Sequence, residues 1–411
     1  MKYGLIGEKL PHSYSKEIHE KLGRYEYELC PLNKEELDGF MRAADFKAIN
    51  VTIPYKTAVI PYLYGISERA KKIGAVNTVI NKNGALYGDN TDHAGLTGLI
   101  RRAGFDLNGK NVLILGSGGT SKTSVAVCRD LGASNITVAS RSGLPGTVTY
   151  DEAVTLRTDY IINTTPCGMY PNEGESAIDI GRFDSLSGVI DVIYNPLRTK
   201  LMLDCKKRGI PAVSGLYMLV YQAMEAAALF LGESVGSDVT ERIYKEIRSE
   251  KENIVLTGMP ASGKSTVGKM TAERLKRPFF DTDKELKKQI GDIADFINTR
   301  GEAAFRDEET KVIKELAASC RGAVISTGGG AVLREENVDA LSANGVICFI
   351  DRDVSKIKPD RSRPLTQNRA LLEKRYKERI GIYRSTADIT VKNNTDFFSD
   401  AAEKLYGELT K

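Results

Sequence analysis

Short apolar runs alternate with amphipathic segments along the whole chain, and this alternation is typical of an α/β fold. Each short run is predicted to be a strand. The predicted strands are Tyr3–Ile6, Tyr25–Leu29, Ala48–Thr52, Ala75–Ile80, Asn111–Leu115, Asn135–Ala139, Tyr160–Asn163, Val189–Asp191, Pro211–Val213 and Ile254–Thr257.

Two longer segments, Leu216–Leu231 and Asp238–Ser249, have a helical pattern. The first is the most apolar segment of the chain. It contains Gln222 and Glu225, and it is too short and too polar to be a membrane-spanning helix.

The same pattern divides the chain into three blocks. The first reaches about residue 95, and the second covers about 96–215 and opens with a helix. A second strand followed by a glycine-rich loop begins at Asn253, so we predict a new domain near residue 251. No Gly/Ser-rich or Pro-rich tether precedes it.

Composition limits the class of protein. The length of 411 residues predicts two to three domains, and 41% hydrophobic with 27% charged residues is a globular balance. The net charge of +4 is too small for a nucleic-acid coat protein or a membrane-surface binder. We therefore expect small-molecule partners, with no nucleic acid and no membrane, while the oligomeric state stays open.

Cysteine and histidine usage narrows the chemistry. Six cysteines lie far apart without a CxxC pair, which predicts reduced thiols in a cytosolic protein. The start of the chain lacks the apolar stretch of a signal peptide, which also favours a cytoplasmic location. His12, His19 and His93 all lie in the first quarter, so later sites must work without histidine.

The stronger of two glycine-rich loops lies near the C-terminal third. Gly258-Met-Pro-Ala-Ser-Gly263-Lys264-Ser265 fits GxxxxGK[ST] after a predicted strand and before a helical pattern. Its backbone N–H groups would surround a polyphosphate, with Lys264 at the β/γ phosphates and Ser265 on Mg²⁺. The predicted ATP contacts are Gly258, Ala261, Ser262, Gly263, Lys264, Ser265 and Thr266.

The other loop, Gly116-Ser-Gly118-Gly119-Thr-Ser121, departs from GxGxxG because Ser121 stands at the third glycine position. The next strand ends at Ser140-Arg141-Ser142, where an NAD site would have an acidic residue. Arg141 suits a 2′-phosphate, which favours NADP; the alternative is a solvated charge at a strand end. The predicted NADP contacts are Gly116, Gly118, Gly119, Thr120, Ser140, Arg141, Thr164, Tyr194 and Gly215.

Motifs over about residues 1–245 resemble, in order, those of the shikimate dehydrogenase family. They are His12-Ser13-Tyr14-Ser15, Asn50-Val-Thr52-Ile-Pro-Tyr-Lys56, Gly74-Ala-Val-Asn77-Thr, Gly88-Asp-Asn90-Thr-Asp92, Asn163-Thr-Thr-Pro-Cys-Gly-Met169 and Met218-Leu-Val-Tyr-Gln222. The resemblance implies a two-domain dehydrogenase. Its α/β substrate domain would be 1–95 plus 216–250, and its Rossmann-like NADP domain 96–215.

Ketone reduction with NADPH requires a proton donor near the carbonyl oxygen, and we predict Lys56 and Asp92 for this chemistry. The resemblance implies that both contact the substrate and that Lys56 has the principal catalytic role. Neutral hydrogen-bonding side chains suit a hydroxylated ring, although a single Ser or Asn could equally be a turn or cap residue. The predicted substrate contacts are Ser13, Ser15, Asn50, Thr52, Asn77 and Gln222.

Three departures from this family are visible. Lys16 stands where the family usually has proline, and His93 stands where it usually has glycine. We interpret His93 as a helix-start residue without a catalytic role. The segment between Arg141 and Asn163 is short, which predicts a trimmed crossover helix in the NADP domain.

Motifs over about 251–411 resemble those of the shikimate kinase family, which implies a P-loop α/β kinase domain. Beyond the P-loop they are Asp281-Thr-Asp283, Glu302-Ala-Ala-Phe305-Arg306, Gly328-Gly329-Gly330, Arg361-Ser-Arg363-Pro-Leu365 and Arg379-Ile-Gly-Ile-Tyr-Arg384.

This second resemblance also implies roles. Shikimate would be held by Asp283, Arg306, Gly329, Gly330 and Arg379. Asp283 would also orient the attacking hydroxyl, and Lys264 would act on the phosphates. Asp281 would lie toward Mg²⁺ through water. Arg363, on a lid at Ser355–Arg369, would neutralise the transferred phosphoryl group.

Together the motifs predict a fused enzyme that reduces 3-dehydroshikimate and then phosphorylates shikimate, using NADP(H), ATP and Mg²⁺. One alternative is an NAD-dependent quinate/shikimate dehydrogenase joined to another small-metabolite kinase. Another is a binding module in which one half is not catalytic.

Overall fold

The structure of the chain, a computed structural model, describes residues 1–10, 13–141, 143–357 and 369–410. The chain divides into two units, Met1–Arg248 and Ser249–Lys411. The described strands form three sheets, two in the first unit and one in the second. The α/β class predicted from the hydrophobic pattern is confirmed.

The first unit contains strands β1–β11, helices α1–α8 and most of α9, whose last three residues belong to the second unit. Its strands are β1 Tyr3–Gly7, β2 Glu28–Pro31, β3 Ala48–Val51, β4 Gly65–Ile66, β5 Thr78–Lys82, β6 Ala85–Asp89, β7 Asn111–Leu115, β8 Asn135–Ala139, β9 Tyr160–Asn163, β10 Gly188–Asp191 and β11 Ala212–Ser214. Its helices are α1 Ser15–Leu22, α2 Glu36–Ala43, α3 Glu68–Ile73, α4 Thr91–Arg102, α5 Gly119–Asp130, α6 Tyr150–Ala153, α7 Lys200–Lys207, α8 Leu216–Leu231 and α9 Ser237–Lys251.

The first sheet has the order β2-β1-β3-β5-β6-β4 and mixed strand directions. β1 is parallel to β2 and β3, whereas β5 is antiparallel to β3 and β6. β5 and β6 are joined through Asn83 and Gly84, which both have positive φ (54° and 90°). Asn-Gly is a strong hairpin signal because both residues tolerate this backbone, yet β6 was absent from the predicted strands.

Several predicted boundaries in this unit were wrong. The strand predicted from Tyr25 begins at Glu28, because the Tyr25 ring turns to pack 4.6 Å from the Tyr3 ring. The strand predicted from Ala75 begins at Thr78, because Val76 N–H donates outside the sheet to the Lys56 carbonyl (2.8 Å).

The second sheet, in the order β11-β10-β9-β7-β8, is parallel throughout. β7 lies between β8 and β9, so the chain changes direction across the sheet at the end of β7, which is where open α/β sheets bind ligands. The predicted bounds of β7, β8, β9 and α8 are confirmed. The trimmed crossover is also present, since α6 has only four residues.

The second unit contains strands β12–β16 and helices α10–α15. The strands are β12 Asn253–Thr257, β13 Phe279–Asp281, β14 Val324–Ser326, β15 Gly345–Asp351 and β16 Ile389–Lys392, and the helices are α10 Lys264–Leu275, α11 Thr282–Ile290, α12 Ile293–Ser319, α13 Glu335–Asn344, α14 Arg369–Thr386 and α15 Phe398–Leu409. The parallel sheet has the order β13-β14-β12-β15-β16, and α12 is broken at Gly301. β12 is central, so the loop that follows it lies at the carboxyl edge of the sheet.

Two further features concern the whole described chain. All six cysteines are free thiols, four of them buried. Among the residues with described positions, no helix combines the length and the hydropathy needed to cross a membrane.

His19 on α1 is a buried, uncharged part of the first unit. Its ring stacks on Tyr27 with 4.0 Å between ring centroids, and its Nδ1 lies 2.6 Å from the Tyr25 hydroxyl oxygen. Burial lowers the pKa of His19 to about 3 from 6.5. Unfolding at acid pH therefore lets this side chain gain a proton that the folded protein excludes.

We expect His19→Phe to reduce the acid sensitivity of the first unit. In the wild type, the His19 contribution to unfolding free energy is complete above pH 6.5 and falls as the pH drops toward 3. The slope contributed by one such group is about 1.4 kcal/mol per pH unit. Urea unfolding of the full chain, followed by circular dichroism between about pH 7 and 5, measures this slope.

Tyr25→Phe is the matched control, because it removes the hydroxyl beside His19 and keeps the buried imidazole. It should retain the wild-type pH slope. Equal slopes in His19→Phe and the wild type would contradict the interpretation.

Candidate functional site

Lys56 and Asp92 form an ion pair in the first unit. Lys56 follows β3, and Asp92 is the second residue of α4. Lys56 Nζ lies 2.6 Å from Asp92 Oδ2, with side chains 18% and 12% exposed. Because water is largely excluded, the carboxylate orients the ammonium group more firmly than a surface partner would.

Asn77 and Gln222 lie beside this pair. The Asn77 Nδ2 donates to Gln222 Oε1 (3.4 Å), and Asn77 Oδ1 accepts from the Thr91 backbone N–H (2.7 Å). Thr91 directly precedes Asp92. The predicted substrate residues Asn77, directly before β5, and Gln222, on α8, are thus linked to the start of α4.

The helices α4 and α8 approach closely at Gly95. A Cβ added there would lie 2.7 Å from the Met218 carbonyl oxygen and 2.9 Å from the Gln222 Cβ. Only glycine allows this spacing, so the position of Gln222 relative to Asp92 depends on it.

Asn50 is buried at the end of β3. Its Oδ1 accepts from the Tyr27 hydroxyl (2.7 Å), and its Nδ2 donates to Thr78 Oγ1 (3.1 Å). Tyr27, Thr78 and Thr91 are residues that sequence reasoning missed. Thr78 lies in the Gly-Ala-Val-Asn-Thr motif and Thr91 in the Asn-Thr-Asp motif, signals that could have found them, whereas Tyr27 looks like an ordinary residue of the predicted strand.

The remaining predicted substrate residues lie in the segments that follow the parallel strands β1 and β3. Ser13 Oγ accepts from the Ser15 backbone N–H (3.2 Å) at the start of α1, and Thr52 follows β3. Within the described residues, their side chains make no hydrogen bond to Lys56 or Asp92. His12 lies outside the described residues.

His93, the third residue of α4, connects this helix to α5. Its backbone N–H is capped by Asn90 Oδ1 (3.3 Å), and its Nε2 lies 2.9 Å from Asp130 Oδ2. The α4 helix begins at Thr91 rather than near residue 96, because this cap fixes its start.

The loop after β7 leads into α5. Gly118 is the N-cap and Gly119 the first helical residue, with Thr120 next. A Cβ added at Gly118 or Gly119 would meet no atom within 4 Å, so backbone N–H groups at the helix start are open to a phosphate. The loop therefore fits a dinucleotide.

Other predicted NADP residues line the same edge of the sheet. Thr164 Oγ1 donates to the Leu115 carbonyl (2.6 Å), just before Gly116, and the Tyr194 ring packs against Tyr14. Gly215 N–H donates to the Ile193 carbonyl (3.0 Å). These contacts join the loop after β9 to the end of β7, and the residue after β11 to the loop after β10.

Ser140 and Arg141 directly follow β8. Ser140 is buried, with its Oγ 3.1 Å from Thr147 Oγ1, while Arg141 is exposed. Among the described residues, Arg141 makes no ion pair, so its guanidinium is open to an anionic group. Ser142 lies outside the described residues.

Asp191 is a buried carboxyl that sequence reasoning missed. It accepts hydrogen bonds from Thr199 Oγ1 (2.6 Å), Asn163 Nδ2 (3.1 Å) and the Ile193 backbone N–H (3.1 Å). Burial raises the pKa of Asp191 to about 6. This single side chain ties the last residue of β9 to the segment that follows β10.

The loop after β12 folds around its own lysine. Lys264 Nζ donates to the carbonyl oxygens of Gly258 (2.9 Å) and Met259 (2.8 Å), and Gly263 precedes α10. Ala261 has positive φ, and the buried Ser262 carbonyl accepts from Asn393 Nδ2 (2.8 Å). Thr266 is exposed at the start of α10.

The predicted magnesium residues meet at this loop. Ser265 Oγ donates to Asp281 Oδ2 (2.6 Å). No cluster of three or more His, Cys, Asp or Glu suited to a metal occurs in the described part of the chain. One hydroxyl and one carboxylate suit Mg²⁺, which keeps several waters and binds substrate phosphates.

A cavity of about 700 Å³ opens beside the loop. Predicted shikimate residues from four segments line it: Asp283, Arg306, Gly329, Gly330 and Arg379. Arg379 Nη1 donates to the Gly329 carbonyl (3.0 Å), and a Cβ at Gly330 would lie 2.2 Å from Arg306 Nη1. A side chain at position 330 would therefore displace the Arg306 guanidinium from its observed place.

Glu309 forms a buried ion pair with Arg306 and was missed by sequence reasoning. Arg306 Nη1 donates to Glu309 Oε2 (2.6 Å), and its Nη2 donates to Glu302 Oε1 (3.2 Å). Glu309 is only 2% exposed, and burial raises its pKa. Its spacing of three residues from Arg306 on one helix was the available signal.

Arg363 lies outside the described residues, as does most of the predicted lid, Ser355–Arg369. The described ends of this segment are Ser355–Ile357 and Arg369, the first residue of α14.

The two sites define a dinucleotide-binding reductase unit followed by a P-loop phosphotransferase unit. Residues 5–79 match the family model of the shikimate dehydrogenase substrate binding domain, and residues 260–410 match that of shikimate kinase. An NADP-dependent shikimate dehydrogenase of Clostridium perfringens is 36% identical over 265 residues, which are 60% of this chain and 98% of that protein.

Solved structures agree with this match. A chorismate mutase/shikimate 5-dehydrogenase fusion protein from Clostridium acetobutylicum has a TM-score of 0.57 at 36% identity, covering 60% of this chain and 96% of that one. Shikimate 5-dehydrogenase from Thermus thermophilus, in complex with NADP(H) and shikimate, has a TM-score of 0.54 at 27% identity, covering 60% and 99%. The chain belongs to the shikimate dehydrogenase family, and a shikimate kinase domain follows the dehydrogenase part. It is a bifunctional enzyme of the shikimate pathway.

We expect Glu309→Ala to destabilise the second unit by about 3 kcal/mol, because it leaves the buried Arg306 with only its exposed partner, Glu302. Glu302→Ala is the matched control and should cost less than about 1 kcal/mol. Urea unfolding of the full chain measures both. Similar costs for the two variants would contradict a special role for the buried pair.

Proposed function

We propose that Met1–Arg248 reduces 3-dehydroshikimate to shikimate with NADPH, and that Ser249–Lys411 phosphorylates shikimate to shikimate 3-phosphate with Mg·ATP. The observation that carries the proposal is that both halves of one chain resemble families that handle the same metabolite. The test is direct: the purified chain should oxidise NADPH with 3-dehydroshikimate and form ADP with shikimate.

In the dehydrogenase half, NADPH when bound supplies the hydride that adds to the ketone carbon. Lys56 donates the proton that the carbonyl oxygen gains, so that a hydroxyl group results. Asp92 orients the ammonium group. The amides of Asn50, Asn77 and Gln222 hold the substrate hydroxyls, and Ser13, Ser15 and Thr52 hold its carboxylate end.

The cofactor is held at the carboxyl edge of the second sheet. We propose that Gly116, Gly118, Gly119 and Thr120 contact the pyrophosphate, and that Ser140 and Arg141 contact the 2′-phosphate. Thr164, Tyr194 and Gly215 would lie along the rest of the cofactor. The open start of α5 and the exposed guanidinium support this placement.

In the kinase half, the loop 258–266 holds the phosphates of ATP, with Lys264 as the charge at the β/γ position. Ser265 and Asp281 would hold Mg²⁺, which when bound offsets the charge on the phosphates. Arg306 and Arg379 bind the shikimate carboxylate. Asp283 orients the hydroxyl that attacks the γ-phosphorus, and Arg363 stabilises the transferred group.

This assignment divides the chain into three functional domains: 1–95 plus 216–250 for the substrate of reduction, 96–215 for NADP, and 251–411 for phosphoryl transfer. The first two divisions follow the two sheets of the first unit. We also propose a cytoplasmic location, which the free cysteines support.

We expect Lys56→Ala to lower kcat of the dehydrogenase reaction by about 10²-fold or more, the usual scale for loss of a proton donor. The kinase rate of the same preparation is the control and should change little. A spectrophotometric NADPH assay and an ADP-coupled assay measure the two rates. Wild-type dehydrogenase kcat in the variant would exclude Lys56 as the acid.

We expect Arg141→Asp to weaken NADP binding about tenfold or more while changing NAD binding far less, since it replaces an attraction to the 2′-phosphate with repulsion. Arg157→Asp is a charge-matched control on an exposed arginine beside the opposite, amino edge of the sheet. KM values for NADPH and NADH measure the difference. Equal increases in KM for both cofactors would contradict the placement of Arg141 at the 2′-phosphate.

A further inference from the structure

The proposed chemistry does not use three of the lysines that line the kinase cavity. They are Lys269 on α10 and Lys284 and Lys287 on α11. All three are exposed, and within the described residues none forms an ion pair with a carboxylate. Lys284 and Lys287 are three residues apart, so they lie on the same face of α11.

A neighbouring lysine on the same helix behaves differently. Lys288 pairs with Glu285 at 2.7 Å and does not line the cavity. α11 therefore directs two unpaired lysine charges toward the cavity, while its adjacent lysine charge is balanced by a carboxylate.

The cavity as a whole carries an excess of positive charge. Six basic side chains line it against four acidic ones, namely Lys264, Lys269, Lys284, Lys287, Arg306 and Arg379 against Asp281, Asp283, Asp292 and Glu309.

All four carboxylates have interaction partners within the protein, Asp283 among them. Glu309 binds Arg306, Asp281 accepts from Ser265, and Asp292 caps α12 through the Ala294 and Asp295 N–H groups. An anion that approaches the cavity therefore meets a net attractive field.

We propose that Lys269, Lys284 and Lys287, here named the capture lysines, attract the carboxylate-bearing substrate into the kinase cavity and accelerate its association. The inference rests on the proposed kinase function and deepens it. Charges at the mouth of a cleft raise association rates of oppositely charged ligands, and salt weakens the effect.

The type of side chain fits this role. The Lys ammonium is a hydrated point charge on a flexible stem, which attracts anions without imposing a geometry. Arg306 and Arg379 are held by carboxylate and carbonyl partners, as geometric recognition requires. Capture and recognition are thus assigned to different residues.

The test compares Lys284→Ala/Lys287→Ala with the wild type in the full-length chain. We expect kcat/KM for shikimate to fall about threefold to tenfold at low ionic strength and to approach the wild-type value at about 0.5 M salt. The kcat value should change less than kcat/KM. Adding Lys269→Ala, or reversing the charge with Lys284→Glu/Lys287→Glu, should enlarge the difference at low salt.

Lys288→Ala is the matched control, because it removes a lysine from the same helix outside the cavity, and it should retain the wild-type salt dependence. The dehydrogenase rate and thermal midpoint of each variant check that the chain is folded. A salt dependence of the double variant equal to that of the wild type overturns the capture role. So does a loss of the same size at every salt concentration, which would indicate direct contact instead.

The outcome is separable from the proposed function. If the wild-type chain does not phosphorylate shikimate, the kinase assignment fails. If it does, and the capture variants show no altered salt dependence, only this inference fails.

Discussion

Parallel strands end at the same edge of a sheet, and this constraint places the chemistry of the chain. The loop at Gly116 follows β7, and the loop at Gly258 follows β12; each strand has neighbours on both sides, and each loop leads into a helix. Backbone N–H groups at such helix starts lack partners within the helix, so they can bind phosphate. The direction of the strands thus places both proposed nucleotide sites, and side chains such as Lys264 and Arg141 add to them.

Buried polar side chains then fix the loops that leave these edges. In the second sheet, Asp191 ties the end of β9 to the segment after β10, Glu309 binds Arg306, and Tyr27 binds Asn50. Each of them satisfies hydrogen bonds that would otherwise be lost on burial, which is why they specify one arrangement. The side chains proposed to touch the substrate are therefore held in place by buried side chains that do not touch it.

The sequence was sufficient for the parts of the fold that depend on local pattern. Strands β7, β8 and β9 are short runs rich in apolar and β-branched residues, and helix α8 is long and apolar, so their bounds could be predicted. Tyr25 could not be placed, because its ring packs with residues distant in the chain.

The residues of the candidate sites divide in the same way, into those that the sequence could identify and those that it could not. The glycine loops, Lys56 with Asp92, and Ser265 with Asp281 lie in short motifs that name their chemistry. Asp191 and Glu309 lie in no such motif, and a carboxylate on a strand or helix is normally exposed, so their burial could not be predicted. Only the folded chain shows that neighbouring residues enclose these two carboxylates.

The absence of a side chain at Gly95 has a consequence for how this protein can diverge. The seam between α4 and α8 closes on the Met218 carbonyl, so that position has no room for even the smallest substituent. Any substitution at Gly95 would have to push the two helices apart. The close spacing of α4 and α8 therefore limits which changes this protein can accept at that position.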